Sequence, residues 1–168
     1  MPPHVSDQFN DVNLHGLTFT DGDLLLEPLA LKPHAVHLVP TYFFRMTHAI
    51  TGDQLGRINL RTESTEHVVR YAGHIGFEVQ PAHRGHHYAA RALRLLLPLA
   101  HRLGIDPLSI TCDPDNLASR RTCELAGAKL LEVVDVPATC IIHKAGHPRK
   151  CRYFYPQLSR AEPLHYPP

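Results

Sequence analysis

Gly73-His74-Ile75-Gly76-Phe77-Glu78-Val79-Gln80-Pro81-Ala82-His83-Arg84-Gly85-His86-His87-Tyr88-Ala89 carries the chain from one kind of backbone into another. Residues 72–79 read as a central strand, and Gln80-Pro81 closes it because proline offers no amide to a ladder. From Tyr88 onward, Ala89, Ala92, Leu93, Leu96, Leu97, Ala100 and Leu103 recur at helical spacing, with Arg91, Arg94 and Arg102 elsewhere on the cylinder. Pro98 removes a donor inside that run and crowds the carbonyl of Arg94, so a kink or early break is expected there. Residues 84–89 are then a turn whose amides precede the first helical hydrogen bond, at the positive end of the helix dipole. That is a place for phosphate oxygens. His83, Arg84 and His86 add charge or potential charge, and the small Gly85 and Ala89 admit a ligand. A turn of purely structural purpose is the competing reading of the same residues.

On the N-terminal side, residues 24–29, 41–47 and 54–61 read as three closely spaced strands, the last with Ile58 and Leu60 alternating against Arg57, Asn59 and Arg61. On the C-terminal side, residues 108–112 form a short strand. Asp113-Pro114-Asp115-Asn116 then caps a helix that stops at Gly127, and residues 129–136 and 151–155 end the pattern as strands. The order predicts an α/β protein of mixed α+β type, with helices packed on a largely antiparallel sheet. Residues 1–20 read as a flexible arm, 21–160 as one domain and 161–168 as a Pro-rich tail.

A chain of 168 residues with 43% hydrophobic and 20% charged residues has the composition of a soluble globular domain, and no apolar run is long enough for a membrane span. A net charge of +1 argues against a nucleic-acid footprint. The N-terminus lacks a basic start and an apolar stretch, so a cytoplasmic location is expected. Cys112, Cys123, Cys140 and Cys151 are expected as reduced thiols. The 14 histidines make surface charge sensitive to pH near neutrality.

The segment from Gly73 to Ala89 resembles the central strand and pyrophosphate loop of the GNAT superfamily, whose loop pattern is Gln/Arg-x-x-Gly-x-Gly/Ala. Arg84 fills the first place and Ala89 the last, while His87 stands at the position that is normally glycine. A second block, Asp115-Asn116-Leu117-Ala118-Ser119-Arg120-Arg121-Thr122-Cys123-Glu124-Leu125-Ala126-Gly127-Ala128, is similar to the Asn-x-x-Ser…Glu-x-x-Gly helix of the same superfamily. Gly56 to Arg61 and Arg152-Tyr153-Phe154 more loosely resemble a branch of predicted GNAT acetyltransferases. The resemblance implies a GNAT-type fold with splayed central strands and acetyl-CoA as co-substrate, without a metal. It further implies acetyl transfer by direct attack of a primary amine, from a small molecule or an amino acid. A protein N-terminus or lysine is the alternative acceptor.

By the same resemblance, Phe77, Glu78 and Val79 pair with pantetheine, and Arg84, Gly85, His86, His87, Tyr88 and Ala89 hold the pyrophosphate. Asn116, Ser119 and Cys123 fall at i, i+3 and i+7 on one helix face and line the pantetheine. Cys123 stands where many relatives carry a tyrosine acid, which leaves Ser119 as the expected proton donor to the departing thiolate; a helix-capping Ser119 and a buried Cys123 are the bland counterpart. A base must take a proton from an ammonium group. Glu78 and His74 are the candidates because they share a face of the central strand. Arg57, Asn59 and Arg61 share a face where a carboxylate on the acceptor fits. Proline at positions 28, 33 and 40 leaves little room for the two helices that roof the acceptor in this superfamily, so an open site, or one completed by a second subunit of a homodimer, is expected.

Two readings compete. Cys140-x-x-His143-x-x-x-His147-x-x-x-Cys151 holds four candidate zinc ligands near a predicted hairpin turn at 145–149. A non-catalytic acetyl-CoA sensor keeps the fold and explains the absent tyrosine and glycine.

Overall fold

The computed structural model describes residues 11–155. Its strands are β1 (Thr20–Asp21), β2 (Leu24–Pro33), β3 (Pro40–His48), β4 (Gln54–Arg61), β5 (Ile75–Val79), β6 (Leu108–Cys112), β7 (Lys129–Asp135) and β8 (Arg149–Tyr155). Its α-helices are α1 (Tyr88–Arg102), α2 (Leu117–Leu125) and α3 (Ile141–Lys144). Strands β1 to β5 form one sheet in chain order, strands β6-β8-β7 form a second, and all paired neighbours are antiparallel. This is the expected mixed architecture of mostly antiparallel sheet and flanking helices.

Period-two alternation turns Tyr42, Phe44 and Met46 of β3 and Ile58 and Leu60 of β4 inward, where α1 covers them with Leu93, Leu96, Leu97 and Leu99. Each such leucine contributes about 1.5–3 kcal/mol by burial. Helix α1 runs unbroken through Pro98, so of the expected kink or early break the break does not occur. Pro98 stands on the exposed face, where water can satisfy the carbonyl that loses its helical donor.

The central strand also starts later than its sequence suggests. Val68–Ala72 forms a π-helical turn, and the Gly73 N–H closes it on the Val68 carbonyl at 2.6 Å. Gly73 has φ 73°, and a Cβ on it would stand 2.8 Å from the Thr111 nitrogen. The residue is therefore fixed by both conformation and space, and β5 begins only at Ile75.

Residues 11–20, expected within a flexible arm, are tied to the domain. Tyr42 donates to Asp11 Oδ2 at 2.8 Å, Arg102 donates to the carbonyls of Asn13 and His15, and Leu14, Leu17 and Phe19 pack on the core. Residues 1–10 of that arm and the tail 161–168 lie outside the described residues. Among the described residues, no helix is long and apolar enough to cross a membrane.

Candidate active site

β5 ends the first sheet and β6 begins the second. They touch where the His74 N–H donates to the Ser109 carbonyl at 2.7 Å and the Ser109 N–H donates to His74 Nδ1 at 2.9 Å. From Ile75 onward β5 is laddered to β4 alone, so the two central strands splay. Two spaces flank the split. One is a groove of about 660 Å³ between Phe77–Val79, the 83–89 loop and α2. The other is a cavity of about 380 Å³ whose polar lining includes His37, Arg61, Asp113, His147 and Lys150. Phe77, Asn116 and Ser119 line both, so the groove and the cavity meet at the split.

The groove is built from consecutive backbone. Arg84 Nε donates to the Val79 carbonyl at 3.1 Å and folds the loop back on the strand end. Gly85 has φ 90°, and His87 takes the left-handed conformation at φ 58°, ψ 24° immediately before α1. The histidine thus keeps the backbone shape for which glycine is the ordinary residue, at a cost of about 1–2 kcal/mol. The amides of Tyr88, Ala89 and Ala90 precede the first helical bond, from Arg91 N–H to the His87 carbonyl. They are the donors a diphosphate needs. The turn is braced from the other side: Tyr88 donates to Asp23 at 2.9 Å, and Arg91 pairs with Asp21 at 2.9 Å and Asp23 at 2.8 Å. The Arg91 guanidinium holds the Asp23 carboxyl below its ordinary range, against the opposing effect of burial. His86 packs beside Tyr88, with ring centroids 5.5 Å apart, and is not part of the groove wall.

On α2, the Asn116 Oδ1 accepts the Ser119 N–H at 3.1 Å, an N-cap that fixes the half-buried Ser119 beside the split. Cys123, expected with them, is instead fully buried and lines neither space. A hydrogen bond with Cys112 and burial both push its thiol up, so it is inert filling. Position i+7 has turned past the groove edge into the core.

The two candidate bases separate. His74 has no exposed surface; its Nδ1 accepts from Ser109 and its Nε2 lies 3.0 Å from Ser64 Oγ. Burial holds its imidazole at about 4, against an ordinary value of 6.5. With both nitrogens engaged in joining the sheets, His74 is a structural pin rather than a proton acceptor. Glu78 lies on the groove wall, 71% exposed, and pairs with Arg57 at 3.5 Å.

Nor do the three acceptor candidates act together. Arg57 is 69% exposed and lines neither space, whereas Arg61 is buried and lines the cavity. Two of its bonds go to the carbonyls of Ala72 and Gly73, at 3.3 and 2.9 Å, and its Nε has no partner among the described residues. Burial lowers Arg61 only to about 10, so the guanidinium stays charged. Asn59 is half-buried, and its Oδ1 is likewise unpartnered. A Cβ on Gly76 would come within 3.1 Å of that oxygen and 3.2 Å of Arg61 Nη2, so the bare glycine keeps this side of the cavity open.

The cavity contains residues whose sequence signals point elsewhere or are absent. Asp113 reads in the sequence as helix-capping chemistry and His147 as a zinc ligand, whereas His37 and Lys150 carry no signal. The four presumed zinc ligands disperse: Cys140 lies 3.8 Å from His67, His143 bonds the Val136 carbonyl, His147 bonds Asp113 and Cys151 is buried. Among the described residues, no three His, Cys, Asp or Glu side chains group as a metal site. A turn at 145–146 falls in the expected place before β8, and α3 just ahead of it contributes Ile141 and Ile142, with Ala145 at its end, to the cavity wall. With Val36 and His37 from the turn between β2 and β3, the helix walls one side of a space that stays open to solvent, as expected from the short segment between the first strands.

A family model described as an acetyltransferase (GNAT) domain matches residues 34–129, more than half of the chain. The chain belongs to this family. Among solved structures, a GNAT-family acetyltransferase from Bacillus anthracis is similar at 21% identity and TM-score 0.54, over 67% of this chain and 64% of that one. The ribosomal-protein-S5-alanine acetyltransferase of Vibrio fischeri matches at 10% identity and TM-score 0.55, over 73% and 64%. The microcin C7 self-immunity acetyltransferase, solved with acetyl-CoA and AMP, matches at 14% identity and TM-score 0.50, over 70% and 61%. At these identities the likeness concerns the fold, and this GNAT chain spans under two thirds of each of those structures. No curated protein matches its sequence.

Proposed function

We propose that this GNAT chain is an acetyl-CoA-dependent N-acetyltransferase that acts on a primary amine of a small molecule or amino acid. The observation that carries the reading is the junction of groove and cavity at Phe77, Asn116 and Ser119, between two strand edges that no ladder closes. One side offers phosphate donors and the other a pocket with a polar lining, and the two meet at the split. Acetyl-CoA supplies an activated thioester; the residues of the chain hold, orient and exchange protons. The amides of 88–90, with Arg84 and Gly85, hold the diphosphate, and the edge of Phe77–Val79 aligns the pantetheine arm. Ser119 Oγ gives a proton to the departing thiolate. Arg61, which lines the cavity and stays charged, receives a carboxylate of the acceptor. A polar pocket of about 380 Å³ fits a small acceptor. A protein N-terminus, which enters as a thin extended segment, is the second acceptor class. We assign the catalytic unit to residues 21–160 and its location to the cytoplasm.

Calorimetric titration with acetyl-CoA, followed by thiol release against amino acids, polyamines, aminoglycosides and short peptides, tests this. Saturable binding with amine-dependent release is expected. Binding without release across the panel favours a sensor, and no binding removes the reading altogether. Ser119→Ala should lower the turnover number roughly tenfold or more if Ser119 is the acid. An unchanged turnover number excludes it.

A further inference from the structure

The acceptor cavity contains a pair of side chains that the proposed chemistry has not used. His147, just before β8, and Asp113, at the end of β6, are 34 residues apart in the sequence, and the His147 Nδ1 lies 2.5 Å from Asp113 Oδ2. A carboxylate only accepts, so Nδ1 is the donor, and the remaining lone pair of the neutral ring is on Nε2. Lys150 holds the other carboxylate oxygen at 2.7 Å. Burial pushes Asp113 up, but Lys150 and His147 beside it prevail and keep it ionised below its ordinary range. The carboxylate is therefore fixed from two sides, and it fixes the tautomer and plane of the ring. The same cavity is lined by Phe77, Asn116 and Ser119, where it meets the groove.

We propose that His147 is the general base of the transfer and Asp113 the residue that positions it; this rests on the acetyl-transfer reading above. An acceptor ammonium gives one proton to His147 Nε2, and its nitrogen then forms the bond to the acetyl carbon. The C–S bond breaks with its electron pair going to sulfur. The second nitrogen proton leaves as the amide forms, Ser119 supplies the proton that neutralises the thiolate, and Ser119 recovers its own from that released one. His147 returns its proton to solvent, to which the half-exposed ring has access. The charged or titratable groups that line the cavity with the ring are Asp113, Cys112 on β6, Lys150 on β8, Arg61 on β4, Tyr71 in the π-helical turn and His37 in the turn between β2 and β3. Burial, with the charge of Arg61, holds His37 neutral at about 3, and His143 on α3 is committed to the Val136 carbonyl. No other imidazole in the cavity is equally placed to take the proton. Glu78, the sequence-based candidate, lines the cofactor groove but not this cavity.

The test uses the full chain, with acetyl-CoA titrated by calorimetry and thiol release followed from pH 6 to about 9.5 on the amines of the panel. For His147→Gln we expect unchanged acetyl-CoA affinity and about 100-fold lower kcat/KM at neutral pH, within the range for loss of a general base. The residual rate should climb about tenfold per pH unit, tracking the free amine. Asp113→Asn should lower kcat/KM about tenfold and displace the ascending limb of the pH profile, a signature that mere structural support does not give. If His147→Gln keeps both rate and profile while the parent chain transfers acetyl, the base assignment is overturned and the transferase reading stands. If the parent chain binds acetyl-CoA but acetylates no amine, the transferase reading fails and the assignment falls with it.

Discussion

The cofactor groove and the acceptor cavity share three residues and are built in opposite ways. On one side the groove draws on contiguous backbone, a strand end, a six-residue turn and the start of α1, and on the other on one face of α2. The cavity gathers single side chains from β4, β6, β8, α3 and the turn between β2 and β3. A surface made of amides tolerates side-chain change, as His87 shows by keeping a glycine-like conformation at φ 58°. A surface made of side chains changes its chemistry with each substitution. On the proposed reading, the groove is the constant half of the site and the cavity the half that selects the acceptor.

Substitutions that separate the halves test this contrast. The largest effect is expected at Gly73, where both sheets meet. Gly73→Ala forces a Cβ to 2.8 Å from the Thr111 nitrogen at φ 73° and should destabilise the fold by about 3 kcal/mol, read as a lower urea midpoint, with both halves weakened together. Gly76→Leu fills the cavity alone. It should lower kcat/KM for the acceptor about 100-fold while acetyl-CoA affinity holds; equal loss of both would erase the distinction.

The pin between the sheets gives a pH signature. His74 titrates at about 4 in the fold and near 6.5 when unfolded, so between those values the unfolded chain binds more protons. Stability from this group is therefore complete above about pH 6.5 and is lost as pH falls toward 4. Urea midpoints measured across that window should decline toward acid, and His74→Asn should flatten the decline. The smallest effect belongs to the loop. His87→Gly should raise stability by at most about 1 kcal/mol and leave acetyl-CoA affinity the same or slightly tighter. Weaker binding would mean that the imidazole itself contacts the cofactor.

The same contrast explains what the sequence disclosed. The strand-turn-helix from Ile75 to Arg102, and the capped helix after Asn116, depend on local rules of period, proline and capping, and both were legible. Pro98 was not, because whether proline breaks a helix depends on which face is exposed. Cys123 shows the limit of helical spacing: i+7 preserves a face only approximately, and here the drift moves a side chain from groove to core. Arg57, Asn59 and Arg61 alternate as expected, yet the fold buries Arg61 and leaves Arg57 in solvent, a distinction the pattern does not contain. His147 and Asp113 are brought together by β8 pairing with β6 across 34 residues, and no local rule joins them. The histidine was visible only as a member of a zinc-like spacing that the fold disperses.

The most direct measurement of the central claim is a crystal structure of the chain with acetyl-CoA. The account predicts the diphosphate on the amides of 88–90, the pantetheine along Phe77–Val79, and the acetyl group at the split beside Ser119, facing the cavity that holds His147. A diphosphate seated elsewhere, or an acetyl group directed away from that cavity, would contradict it.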